Sequence, residues 1–258
     1  MSRIKDKNWS REEHILAFNL YCKIPFGSIH IRNPKIIELA KLLGRSVGAV
    51  SYKLGNFARL DPELKARGIK GLKHGAKGEA EVWNEFKEEP ETLAFESERL
   101  LAKLTEQKLE KLAEIDESEL PKEGLEREGV VRTRVNQHFF RVTVLAAYDN
   151  QCCITGLAIP QLLVASHIAP WSLDPKNRMN PRNGLCLNAL HDRAFDQGLM
   201  FIASDWTVHF AASIKKCPSI DNTGLAWLLQ FEGKPINMPQ RFQPDPLLIA
   251  QHRERFGF

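Results

Sequence analysis

The chain has 258 residues, 43% hydrophobic and 26% charged, which excludes wholesale disorder and leaves length for one large domain or two small ones. No apolar run reaches the roughly 18 to 20 residues of a membrane span, and the start, MSRIKDKNWSREE, lacks the apolar core of a secretory signal, so a soluble, cytoplasmic protein with no membrane partner is expected. The net charge of +4 hides a division: residues 1–85 carry 16 Lys and Arg against 9 Asp and Glu, residues 86–130 carry 7 against 14, and residues 131–258 carry 13 against 9, as expected of two polyanion-facing modules joined by a solvated connector.

The first predicted element is a helix over WSREEHILAFNLYCKI, with Ser10 as its N-cap. In IIELAKLLGRSVGAVSYKLGNFARLDP, apolar residues fall at Ile36, Ile37, Leu39, Ala40 and Leu43, then at Val47, Val50, Leu54 and Phe57 beyond Gly44. This spacing predicts two short amphipathic helices around a glycine turn. Ala40 lets them cross closely, Gly44 accepts a positive φ, and Ser46 caps the second. The stretches WSREE and GRSVGAVSYKLGNF resemble a trihelical, Myb-like or helix-turn-helix DNA-binding module. Packing of that kind is expected to leave Arg45, Ser51, Tyr52, Lys53, Asn56 and Arg59 exposed. Arg and Asn suit bidentate reading of guanine and adenine, and Lys53 and Arg59 suit phosphates; the competing reading is an ordinary solvated helix face.

The middle segment, EEPETLAFESERLLAKLTEQKLEKLAEIDESELPKEG, is rich in Glu, Lys and Leu, with its prolines, Pro90 and Pro121, at its two ends. It reads as a helical spacer, or as a dimerisation coil along Leu101, Leu104, Leu112 and Ile115. Sustained heptads are absent, which favours the spacer.

VVRTRVNQHFFRVTVLAAYDNQCCITG then predicts an amphipathic helix ending near Asp149 and Asn150, with Arg134, Gln137 and Arg141 on its face. LLVASHIAPW reads as a strand that delivers His167 and stops at Pro170; a polar loop, SLDPKNRMNPRNG, leads to a second strand, GLCL. NALHDRAFDQG follows as a helix capped by Asn188 and stopped at Gly198. His167, Asn183 and His191 thus follow one another in a strand, loop, strand, helix order. A histidine there can take a proton from water, since its pKa lies near neutrality, and a second histidine can hold a divalent ion against a phosphodiester.

The stretches CCITG, ASHIAPW, NPRNGLCL and ALHDRAFDQGLM resemble the HNH endonucleases of the ββα-metal superfamily, in the restriction-type subgroup whose helix ends in FD-x-G; the preceding R-x-N-Q-x-F-F-R is similar to what leads into that subgroup. The resemblance spans roughly residues 131–215 and implies His167 as general base, Asn183 as the middle Asn and His191 as a metal ligand. Many such enzymes place an acid just before the first His, where this chain has Ser166. Asp192 and Asp196 are the nearby carboxylates able to compensate, hard ligands for Mg²⁺ or Mn²⁺. The expected metal set is therefore His191, Asn183 and Asp196, although a hydrogen-bonding role at the helix end competes for Asp196.

The five cysteines, Cys22, Cys152, Cys153, Cys186 and Cys217, form no C-x-x-C pair. Free thiols and no structural zinc are expected, with Cys152, Cys153 and Cys186 in the core. LMFIAS and WTVHFAAS alternate like the two strands of a hairpin, which could extend the first sheet, and His209 within it is assigned to structure. The expected fold class is α+β: a trihelical module over 1–85, an acidic helical linker over 86–130 and a ββα-metal nuclease domain over 131–258. The expected function is metal-dependent hydrolysis of double-stranded DNA, in a restriction or phage-defence setting that fits the resemblance. The alternative is a DNA-binding regulator with an HNH-like scaffold. RNA offers the same phosphate chemistry, and cleavage of both strands by one site per chain would call for a homodimer.

Overall fold

Ser10 starts the first helix, α1 (Arg11–Lys23), through a capping box: its hydroxyl accepts from the Glu13 amide at 3.2 Å while the Glu13 carboxylate accepts from the Ser10 amide at 3.0 Å. Asn33 caps α2 (Pro34–Leu43), which ends at Gly44 with φ +62°, and Ser46 caps α3 (Val47–Ala58). The sequence marked all three helices, the glycine turn and both serine caps. Ile15, Phe18, Ile36, Leu39, Ala40, Val50, Leu54 and Phe57 form the core between them. Phe18 and Phe57 stack at 4.9 Å. The computed structural model describes residues 8–69, 75–216 and 223–258, in two compact units, Met1–Ala146 and Ala147–Phe258. Cys217 lies outside the described residues.

The first unit continues with α4 (Pro62–Ala66), α5 (Lys77–Phe86), α6 (Pro90–Thr105), α7 (Leu109–Leu112) and α8 (Leu125–Ala147). The segment expected to be one solvated connector therefore behaves differently. Left-handed residues at Glu106 (φ +54°) and Glu114 (φ +53°) interrupt it, and α6 lies along α1 with Leu93, Ala94, Ser97 and Glu98 buried. Ser97 receives a hydrogen bond from Asn19, and Glu98 pairs with Lys23. The periodicity missed this because half of the buried stripe is polar, paired to polar groups on α1. Leu104, expected on the apolar stripe, is 46% exposed. A second small core joins Ala113, Val131 and Val135 with Phe95, Leu109, Ile115 and Leu120. The helix α8 begins inside the segment assigned to the linker. It ends before Asp149 and Asn150, whose φ values of +54° and +56° stop it close to where the sequence indicated.

In the second unit β1 (Leu163–His167) pairs antiparallel with β2 (Gly184–Asn188), in a register that sets Leu163 opposite Asn188 and His167 opposite Gly184. The helix α9 (Ala189–Asp196) packs on both strands. A second hairpin, β3 (Met200–Ile202) and β4 (Val208–Phe210), forms as its sequence indicates but makes its own two-stranded sheet instead of extending the first. The short helices α10 (Ala212–Lys215) and α11 (Thr223–Leu229) follow, and α12 (Pro246–Phe256) closes the chain. Gly198 ends the α9 turn at φ +63°, where a Cβ would stand 2.2 Å from the Phe256 ring, so α12 fits only because this residue is glycine. Mixed helices and small antiparallel sheets make the fold α+β. Among the described residues no helix is long and apolar enough to cross a membrane.

Candidate active site

The β1–β2 connection carries a ladder of short polar side chains three residues apart, Asp174, Asn177, Asn180 and Asn183. Asp174 accepts from the Asn177 side-chain amide at 2.6 Å, Asn180 donates to Asn177 Oδ1 at 2.9 Å, and the Asn180 carbonyl accepts from the Asn183 amide at 2.9 Å. Asn183, fully buried, closes the loop: its Oδ1 accepts from the Ala169 amide at 2.7 Å, and its Nδ2 donates to the carbonyls of Ala169 and Asn177 at 3.0 and 3.1 Å. Its role is to hold the chain just after His167 against the chain just before β2. The sequence assigned it to a metal as well, but its amide oxygen points at Ala169 and no solvent reaches it. Sequence reasoning overlooked the ladder, although the spacing D-x-x-N-x-x-N-x-x-N was legible, since Asx side chains bind backbone two or three residues away.

His167, at the end of β1, is half-buried. Its Nε2 lies 3.0 Å from the Arg178 carbonyl, which can only accept, so Nε2 carries the hydrogen and Nδ1 the lone pair. Burial lowers its pKa, with the Arg178 bond acting in the opposite direction. At neutral pH the imidazole is therefore uncharged, in the form a base needs. The Trp171 indole meets it edge-on at 5.7 Å. Ser166 is buried, and strand alternation turns it to the opposite face from His167, so it is not a ligand beside that ring.

The sequence assigned His191 to a metal. The side chain is fully buried. Asn188 Oδ1 accepts from the amides of Leu190 and His191, which leaves Asn188 Nδ2 to donate to His191 Nδ1 at 2.8 Å and puts the imidazole hydrogen on Nε2. Among the described residues Nε2 has no hydrogen-bond partner, and Trp227 and Phe231 flank the ring at 5.4 and 5.2 Å. Moving the lone pair to Nε2 for an ion would set two N–H groups against each other at Nδ1. Burial pushes the pKa down to about 4. The residue is part of the core of the second unit, and its period on α9 gave the sequence no sign of Trp227 covering it from α11.

Asp196 is exposed on α9, and Asp192 stands one turn before it. Partial burial and the Asp192 charge raise the Asp196 pKa. Among the described residues no three His, Cys, Asp or Glu side chains gather where they could hold a metal; of the set assigned from sequence, Asn183 and His191 are buried and Asp196 is exposed. Cys152, Cys153 and Cys186 are buried free thiols, and burial holds Cys153 well above the usual thiol range. His209 bridges Thr207 Oγ1 at 2.9 Å and Glu232 at 3.0 Å.

Residues 152–203 match the family model described as HNH endonuclease. That segment holds β1, the asparagine ladder, β2, α9 and β3. No curated protein matches the chain. The match supports nuclease activity and is narrower than the span of roughly 131–215 expected from motifs.

The nucleic-acid face expected on α3 is rearranged. Lys53 is 6% exposed and Asn56 only 2%, because α5 lies over them and its fully buried Glu79 pairs with Lys53 and accepts from Asn56 Nδ2 at 2.7 Å. Neither can reach a base or phosphate in this arrangement. Arg45 is held by Glu13 at 2.7 Å and lies 5.1 Å from the Trp9 ring centre. Arg59 is half-buried against Gly75, where a Cβ would meet its guanidinium. Tyr52 remains 48% exposed. On α8, Arg134 is exposed and Arg141 half-buried.

Proposed function

We propose that the chain is an endonuclease that hydrolyses DNA phosphodiester bonds with His167 as its base. The observation that carries this reading is the tautomer of His167. Its Nε2–H is held by the Arg178 carbonyl, so at neutral pH Nδ1 is the ring nitrogen that carries the basic lone pair. In the step assigned to it, Nδ1 takes a proton as the water oxygen bonds to phosphorus, and the phosphorus bond to the leaving oxygen breaks. That oxygen then gains a proton from solvent. Asn183 is a positioning residue, holding the loop that supplies the Arg178 carbonyl. HNH nucleases generally depend on a divalent ion. Of the ligands assigned from sequence only Asp196 reaches solvent here, with Asp192 beside it, and the step above does not run through an ion. Grip on double-stranded DNA is assigned to Tyr52, Arg59, Arg134 and Arg141, in place of the wider set read from sequence.

The test is incubation of the full chain with supercoiled plasmid in Mg²⁺, Mn²⁺ or EDTA. Nicked or linear product with an ion and none in EDTA is expected. Equal cutting in EDTA would contradict the ion dependence. Absence of cutting in all three with DNA binding retained would favour the alternative, a DNA-binding regulator on the same scaffold.

A further inference from the structure

We propose that Arg178 is the phosphate-binding cation of the His167 site, contacting the non-bridging oxygens of the phosphodiester attacked there. The proposal rests on the reading of His167 as the base. Arg178 is tied to that histidine twice. Its carbonyl accepts the imidazole hydrogen at 3.0 Å. Its side chain lies against Trp171, the guanidinium 5.4 Å from the indole centre, and the same indole meets the His167 ring edge-on at 5.7 Å. Cation and base therefore flank one aromatic side chain.

Among the described residues the guanidinium is fixed but not neutralised. Arg178 Nε donates to the Trp171 carbonyl at 2.7 Å, which leaves the edge formed by the two terminal nitrogens for another acceptor. Among the described residues Arg178 has no acidic partner, whereas Arg11, Arg45, Arg127 and Arg132 each pair with glutamate. The residue before it is anchored too, since the Asn177 carbonyl accepts from buried Asn183. A half-buried guanidinium already ordered by a hydrogen bond and an indole loses little freedom on meeting an anion. Its paired N–H groups match two phosphate oxygens, and negative charge grows on those oxygens as water attacks.

Arg178→Gln, Arg178→Lys and His167→Ala in the full chain, assayed on plasmid with Mn²⁺, test the proposal. Arg178→Gln is expected to lose about a hundredfold in kcat/KM, with Arg178→Lys recovering part of it and the midpoint of the pH–rate profile unmoved in both. In EDTA, Arg178→Gln should reduce the slope of log affinity against log salt on duplex DNA by about one unit, since one phosphate contact is lost, and Arg178→Lys should keep it. Wild-type cleavage by Arg178→Gln beside an inactive His167→Ala would overturn the Arg178 assignment alone. A rate loss accompanied by a shifted pH profile would overturn it as well, since Arg178 would then act only by holding His167. Wild-type cleavage by His167→Ala would instead remove the base reading on which the proposal stands.

Discussion

The α3–α5 contact and the β1–β2 loop treat the same kinds of side chain in opposite ways. On α3, a lysine and an asparagine placed for nucleic acid by their helical position are drawn inward by Glu79, a carboxylate that lies far along the sequence. In the loop, asparagines satisfy one another and the backbone, and an arginine is left ordered with no counter-charge among the described residues. A basic residue's partner, more than its place on a helix, decides whether its charge serves folding or an external phosphate.

The largest expected effect lies at the α3–α5 contact. Glu79→Ala should lower stability by about 3–5 kcal/mol, because it leaves the Lys53 charge buried without its partner; denaturant titration measures it, and a change below about 1 kcal/mol would mean that Lys53 is a solvated residue. Removing Asn183 sharpens the other side. Asn183→Ala strands two carbonyls and one amide around the loop, at about 1–3 kcal/mol for a buried group left without a partner. It should also slow cleavage by loosening the Arg178 carbonyl from His167. A destabilised variant that cuts at the wild-type rate would separate the ladder from the chemistry.

Acid titration reads the second unit in a different way. Burial pushes His191 and His252 down to about 4, and His252 also stacks on Phe195 with ring centres 3.7 Å apart. Between pH 6.5 and 4 the unfolded chain binds protons that the folded one refuses. Stability is therefore full above the unfolded pKa and falls as pH drops through this window, by about 1.4 kcal/mol per pH unit for each imidazole. Melting temperatures across the window test this, and His191→Phe should flatten the slope; a flat profile in the unaltered chain would mean that these rings are solvated. The smallest effect belongs to Tyr52→Ala, expected to change stability by less than about 0.5 kcal/mol while weakening DNA binding, as measured by fluorescence anisotropy.

Local chemistry explains what was legible. Ser10, Gly44, Ser46 and Asn188 mark helix ends through contacts within a few residues, so the spacing alone disclosed α1, α2, α3 and α9. The place of His167 at the end of β1 was legible for the same reason, from the apolar run that precedes it. The burial of Lys53, Asn56 and His191 was not, because Glu79, Trp227 and Phe231 come from other elements and no periodicity within α3 or α9 encodes them. The α6 segment misled for a related reason: Ser97 and Glu98 look solvated until Asn19 and Lys23 are set against them.

The most direct measurement is single-turnover cleavage of one DNA substrate by the full chain and by His167→Ala, with enzyme in excess and folding matched by thermal melt. A base at His167 predicts a loss of about a hundredfold or more in the cleavage rate with DNA affinity unchanged. A folded His167→Ala that cuts at the wild-type rate would contradict it.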